Sequence, residues 1–171
     1  LEYKKDGCEV YNSAKMTLEE VIAVMAPAAK AGKTVVRLHT GDPCVYGAHR
    51  EQMDELDRLG LAYEVCPGVS SFCGAAAALK AEYTLPNVSQ SVILTRMEGR
   101  TPVPEKEQIE AFAAHGATMV IFLSAGQLAR LSERLIAGGY APDTPAAIVY
   151  KATWPDEKVV RTTVADLAEA G

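Results

Sequence analysis

Several signatures of well-known chemistry are missing from this chain of 171 residues. It carries no G-x-x-x-x-G-K-[ST] loop and no G-x-G-x-x-G turn, so neither common nucleotide fingerprint is available. No G-x-S-x-G elbow marks a serine nucleophile. The four cysteines, Cys8, Cys44, Cys66 and Cys73, form no CxxC pair, which leaves free thiols as the expectation. The histidines His39, His49 and His115 fall in no ligand spacing, and no metal site is expected. Aromatic residues are only 6% of the chain. No apolar run approaches the roughly 20 residues of a membrane span. A charged start with a small-residue cleavage site is absent too, so a cytoplasmic location without a membrane partner is expected. The net charge of −5 speaks against a general nucleic-acid surface.

What the chain has is a globular balance of 49% hydrophobic and 23% charged residues, enough for one ordinary domain or two small ones. Residues 9–11 suggest a short strand. Thr17 followed by Glu20 is a capping box. Leu18, Val21, Ile22, Met25 and Ala29 follow at helical spacing up to Gly32. The apolar run 34–38 predicts a buried strand, 48–58 a helix, 61–65 a second strand and 72–79 a helix of small residues. The pattern breaks at 85–87, the expected domain boundary. Alternation then resumes with a strand over 91–95, a helix over 105–115, a strand over 118–123 and a helix over 127–137. Strands over 146–150 and 159–163 are expected to pair as a hairpin, with a last helix from about Val164. Strands alternating with helices define an α/β protein.

The candidate site lies where these strands end. Residues 40–47, Thr-Gly-Asp-Pro-Cys-Val-Tyr-Gly, join a strand to a helix through a turn with glycine near both ends. Residues 66–71, Cys-Pro-Gly-Val-Ser-Ser, repeat the arrangement. Loops at Thr40, Cys66, Thr95, Leu123 and Lys151 are expected to face one crevice, as strand carboxyl ends do in such folds. They are short and offer mainly backbone N–H and C=O groups, which suits a small polar cofactor better than acid–base hydrolysis. Asp156 and Glu157 are adjacent and read as surface charge.

These residues carry a resemblance. Gly41-Asp42-Pro43, Tyr46-Gly47 and the stretch 65–71 are similar to the tetrapyrrole (corrin and porphyrin) methylases, and nearly all of the chain takes part. Residues 92–96, 98–105 (Glu-Gly-Arg-Thr-Pro-Val-Pro-Glu) and 149–158 sharpen the match. The family's glycine-rich GxGPGDP loop is not found here. The resemblance implies two αβα-type domains, an incomplete N-terminal one over 1–88 and a C-terminal one over 89–171 lacking its last segment. It also implies a homodimer.

By the same resemblance the cofactor is S-adenosylmethionine, with S-adenosylhomocysteine as product. The sharper stretches imply methylation at carbon 11 of precorrin-4 or its cobalt form, in cobalamin biosynthesis. Thr40, Gly41, Asp42, Val45, Ser70, Ser71, Leu123 and Ala152 would bind the cofactor. Arg96, Arg100 and Lys151 would meet the carboxylates of the anionic tetrapyrrole. No residue stands out as a catalytic base, and an activated sulfonium needs mainly alignment. The rival readings are a methyltransferase for another corrin carbon, a diphthine synthase, a ribosomal-RNA methylase, and a non-catalytic tetrapyrrole- or nucleotide-binding module.

Overall fold

The capping box opens the first helix. In a computed structural model that describes residues 3–171, the Thr17 amide donates to Glu20 Oε2 at 2.8 Å and the Glu20 amide to Thr17 Oγ1 at 3.3 Å. Two orphan amides are thereby satisfied. Helix α1 runs Leu18–Lys30 with Val21 and Ala26 buried, and Gly32 beyond it takes φ +75°, a conformation glycine adopts without strain. Helix α2, Arg50–Arg58, buries Gln52 and Leu56 and packs on α1. Both belong to the first of two compact units, Leu1–Ser70; the second is Ser71–Gly171.

The first unit departs from expectation at its strands. Residues 9–11, 34–38 and 61–65 join no ladder among the described residues. Their apolar side chains are open as well, with Val36 76% and Leu38 66% exposed. A continuous apolar run marks a strand covered on both faces and paired on both edges. Extended backbone without a neighbouring strand cannot meet that requirement. Instead, 34–38 and 61–65 line an open groove of about 870 Å³, with Met25 of α1 and Met53 and Leu56 of α2 also on its wall. Gln52 ties one of these segments to the helix. It accepts from Arg37 Nε at 3.0 Å and donates to the Ala48 carbonyl at 3.2 Å.

The second unit keeps the expected order of elements with shorter helices. The helix expected over 105–115 is a 3-10 turn, Glu105–Glu107, and then α-helical only over Ile109–Ala113, and the last helix begins at Leu167. Helix α3, Ser71–Leu79, is followed by β1, Val92–Arg96, and β2, Thr118–Phe122, which pair in parallel from Val92 opposite Thr118 to Arg96 opposite Phe122. Between them Ile109–Ala113 forms a short α4, and helix α5, Leu128–Ala137, follows β2. The expected hairpin is present. Strand β3, Pro145–Tyr150, lies antiparallel to β4, Lys158–Thr163, and α6, Leu167–Ala170, comes after it. Met97, Ile109, Ala113, Leu131, Leu135, Val164 and Leu167 form the core, which fixes the ends of β1 and β2 against α4 and α5.

The segment after α3 is fastened to this unit. Thr118 donates its amide to Ser89 Oγ at 2.9 Å and its hydroxyl to the Tyr83 carbonyl at 2.7 Å. Asn87 turns the chain at φ +63°.

Candidate functional site

In the first unit Asp42 joins the turn at 43–46 to the segment around Gly68, expected as a second turn but without turn or bend between 66 and 70. Its Oδ1 accepts from the Cys44 amide at 2.7 Å, and its Oδ2 accepts from the Gly68 amide at 2.9 Å, 26 residues away. Both oxygens are thus committed to backbone, which makes the side chain a clasp. The approach it holds is close. A Cβ on Gly68 would lie 2.0 Å from the Gly41 carbonyl oxygen, and one on Gly47 would lie 2.0 Å from the Pro43 carbonyl oxygen. Gly41 takes φ +68°, and Tyr46 and Ala48 take φ +56° and +48°, so the chain is left-handed at two L residues that ordinarily avoid this region. Such strain persists where surrounding contacts over-determine it. The Val45 amide donates to the Asp42 carbonyl at 3.2 Å, which closes the turn. Ser70 is buried, whereas Thr40 is exposed.

The amides of Gly68 and Cys44 hold the Asp42 carboxyl below its ordinary value of 3.8. A depressed carboxyl contributes to the folded state above its unfolded pKa, and that contribution is lost as pH falls through the folded value. The clasp is therefore expected to be intact at neutral pH and to open only below about pH 4. The Gly68 and Cys44 amide proton resonances should titrate together in that acid window. Independent titrations, or midpoints above the ordinary carboxylate value, would contradict the clasp.

The histidines that seemed scattered are partly assembled by this loop. His39 and His49 flank it, and their rings meet edge to face with centroids 6.0 Å apart. Burial, then Arg37, then His49 push the His39 pKa down, so this ring is neutral at neutral pH. Its spacing of ten residues from His49 matches no ligand or catalytic pattern, which is why the pair is not legible in the sequence. Among the described residues no three His, Cys, Asp or Glu side chains gather as a metal-ligand set, and all four cysteines are unpaired and exposed.

In the second unit the strand ends carry the remaining candidates. Leu123 leaves β2 at φ +57° with 78% of its surface exposed, an unusual state for a leucine that is neither in a core nor in a regular turn. Ala152 is half-buried, and its Cβ lies 3.3 Å from where a Cβ on Gly74 of α3 would be. Ser71 is the first residue of α3.

The three candidate cations differ. Arg96 is engaged by its own loop, donating to the carbonyls of Met97, Thr101 and Pro102 and to Thr101 Oγ1 at 2.9–3.2 Å. Lys151 donates to Asp156 Oδ2 at 2.6 Å and stands 5.2 Å from the centre of the Tyr150 ring. Glu157 accepts from the Thr153 amide at 2.6 Å, so Asp156 and Glu157 brace the loop rather than merely decorating it. Arg100 is exposed and has no side-chain partner among the described residues.

A sequence profile of the tetrapyrrole (corrin/porphyrin) methylases matches residues 2–168. The chain belongs to this family. It is 56% identical over 169 residues to a cobalt-precorrin-4 C(11)-methyltransferase of Methanocaldococcus jannaschii, covering 99% of this chain and 65% of that protein. The chain thus spans just under two thirds of that relative's length. The X-ray structure of a cobalamin biosynthetic enzyme, cobalt-precorrin-4 methyltransferase, superposes with a TM-score of 0.94 at 52% identity, over 97% of this chain and 70% of that one. A uroporphyrin-III C-methyltransferase of Thermus thermophilus, solved with S-adenosylhomocysteine, superposes at 0.73 with 26% identity, over 88% of this chain and 66% of that one. The fold is the α/β fold of the tetrapyrrole methylases.

Proposed function

We propose that the protein to which this chain belongs transfers a methyl group from S-adenosylmethionine to carbon 11 of precorrin-4 or its cobalt form. The observation that carries this reading is the 56% identity to a cobalt-precorrin-4 C(11)-methyltransferase along 99% of the chain. The site fits such a cofactor in one testable respect. The loop at Gly41 and the segment at Gly68 are held so close that a single Cβ at Gly68 would fill the space between them, which leaves bare backbone N–H and C=O groups for an amino-acid moiety.

Thr40, Gly41, Asp42, Val45, Ser70 and Ser71 are proposed to hold the methionine part, and Leu123 and Ala152 the adenosine. With both oxygens engaged, Asp42 acts by fixing the backbone around Thr40 and Gly41. The bound cofactor supplies an activated methyl group on sulfur, and the chain's work is to orient the partners and exclude water. The division into domains at 88/89 and the cytoplasmic homodimer remain parts of the same proposal. No described helix is long and apolar enough to cross a membrane.

Calorimetry with S-adenosylhomocysteine on the full-length protein is expected to show saturable heat, weakened in Asp42→Ala with the fold retained. Absence of heat at high ligand concentration would refute the cofactor. Assay with metal-free and cobalt-loaded substrate, read by mass and by the carbon that gains the methyl, tests the reaction. Methylation at another ring carbon would move the enzyme elsewhere in the family. Sedimentation of the same sample as a monomer would remove the dimer.

A further inference from the structure

The loop after β1 is fixed along nearly its whole length. Met97 is 2% exposed, and its amide donates to Ser124 Oγ at 3.0 Å. The Glu98 carbonyl accepts from Gln127 Nε2 at 3.2 Å, and the Val103 carbonyl accepts from Gln108 Nε2 at 3.2 Å. Arg96 holds Thr101 and Pro102.

The centre of the frame is Arg134 on α5, whose side chain is only 12% exposed. Its guanidinium donates to Glu98 Oε1 and Oε2 at 2.8 and 2.7 Å and to Glu110 Oε1 and Oε2 at 2.6 Å each, and also to Gln108 Oε1. These bonds use all the N–H donors a guanidinium has. Arg130 adds a further bond to Glu98 Oε1.

Two consequences follow for Arg100. The loop that carries it is ordered before any ligand arrives, which removes an entropic cost from binding. Glu98, two residues away, is occupied by Arg134 and Arg130, so the nearest carboxylate in sequence does not neutralise Arg100.

We propose that Arg134 and Arg96 are positioning residues that hold loop 97–104 so that Arg100 is presented, unpaired, to a ring carboxylate of the tetrapyrrole. The proposal rests on the methyltransferase reading for the class of ligand. An exposed, pre-oriented guanidinium suits a carboxylate because two parallel N–H donors match its two oxygens. Arg96, expected to touch substrate, is assigned instead to the loop itself. Arg134→Met would do double damage, since it frees the loop and leaves Glu98 to Arg130 alone, with Oε2 open to compete for Arg100.

The test uses the full-length protein and uroporphyrin III, whose side chains are all acetate and propionate, in a fluorescence titration. S-adenosylhomocysteine binding is measured in parallel by calorimetry. Arg100→Gln is expected to weaken uroporphyrin binding about tenfold, the usual scale for one lost hydrogen bond to a charged group. Arg134→Met should weaken it about as much, leave S-adenosylhomocysteine affinity unchanged and speed amide exchange in 97–104. Because Arg134 acts through Arg100, the double variant should bind no more weakly than either single one, the coupling expected of residues that share a role. Arg134→Met with wild-type uroporphyrin affinity, or penalties that simply add, would overturn the proposal. Should Arg134→Met fail to fold, Arg134→Lys, which keeps the charge but not the planar fork, enters the same cycle and is judged by the same outcomes. Wild-type protein that binds S-adenosylhomocysteine but not uroporphyrin III overturns the role of the loop alone, whereas binding of neither removes the proposed function as well.

Discussion

Gly68→Ala is expected to weaken cofactor binding on the order of a hundredfold while leaving α1 and α2 folded. The added Cβ would sit 2.0 Å from the Gly41 carbonyl oxygen and 3.0 Å from its carbonyl carbon. The obstacle is backbone, so no side chain can swing aside. The two segments must part by more than an ångström to reach ordinary contact, and this breaks the bond from the Gly68 amide to Asp42. A displacement of about 1 Å in a positioned site costs on the order of a hundredfold in binding or rate. The helices are insulated from this loss, because α1 packs on α2 through other residues. Calorimetry with S-adenosylhomocysteine reads the loss, and circular dichroism reads the retained helix. Near wild-type affinity in Gly68→Ala would mean that the close approach of the two segments does not shape the site. Asp42→Ala should be milder, since it removes the clasp without forcing the segments apart.

Ile109→Ala is expected to be the most destabilising single change in the second unit. Ile109 is 1% exposed and packs in the cluster with Met97, Ala113, Leu131, Leu135, Val164 and Leu167. Helix α4 is only five residues long and buries just Ile109 and Ala113, so its propensity alone cannot hold it in place. Truncating a buried isoleucine to alanine costs about 2–5 kcal/mol through lost transfer energy and the cavity left behind. In a unit of this size that is a fall in melting temperature on the order of 10 °C or more. Ile109→Val should cost only about 1 kcal/mol. Thermal unfolding of the two variants checks the contrast, and equal small shifts would show that the site collapses without a cavity. Loss of α4 would also carry away Glu110, one arm of the Arg134 fork, so uroporphyrin binding should suffer before S-adenosylhomocysteine binding does.

Much of the architecture was legible in the amino-acid order because its causes are local. The capping box at Thr17 and Glu20, the apolar spacing of α1 and α5 and the pairing of β3 with its sequence neighbour β4 are each short-range. They form as the order implies. The glycine turn at 40–47 was legible for the same reason, since proline and glycine restrict the backbone wherever they stand, whereas 66–70 forms no turn despite its Pro-Gly pair. The sharper stretches at 98–105 and 149–158 pointed to the family, and comparison over nearly the whole chain establishes it.

Only the tertiary structure decided what those residues are bonded to. The apolar letters of 34–38 and 61–65 are those of strands, but a ladder is a property of two segments, and neither finds a neighbour among the described residues. A carboxylate or guanidinium has the same letter whether it faces water, ligand or its own chain. Asp42 proves to be a clasp, Arg96 a loop brace and Lys151 an ion-pair partner, whereas Arg100 stands open. His39 and His49 meet because the chain turns between them. These contacts span from a few to 26 residues of sequence, and no periodicity encodes them. The glycine turn at 40–47 was therefore visible in the sequence as a turn, and it was the fold that showed what holds it shut.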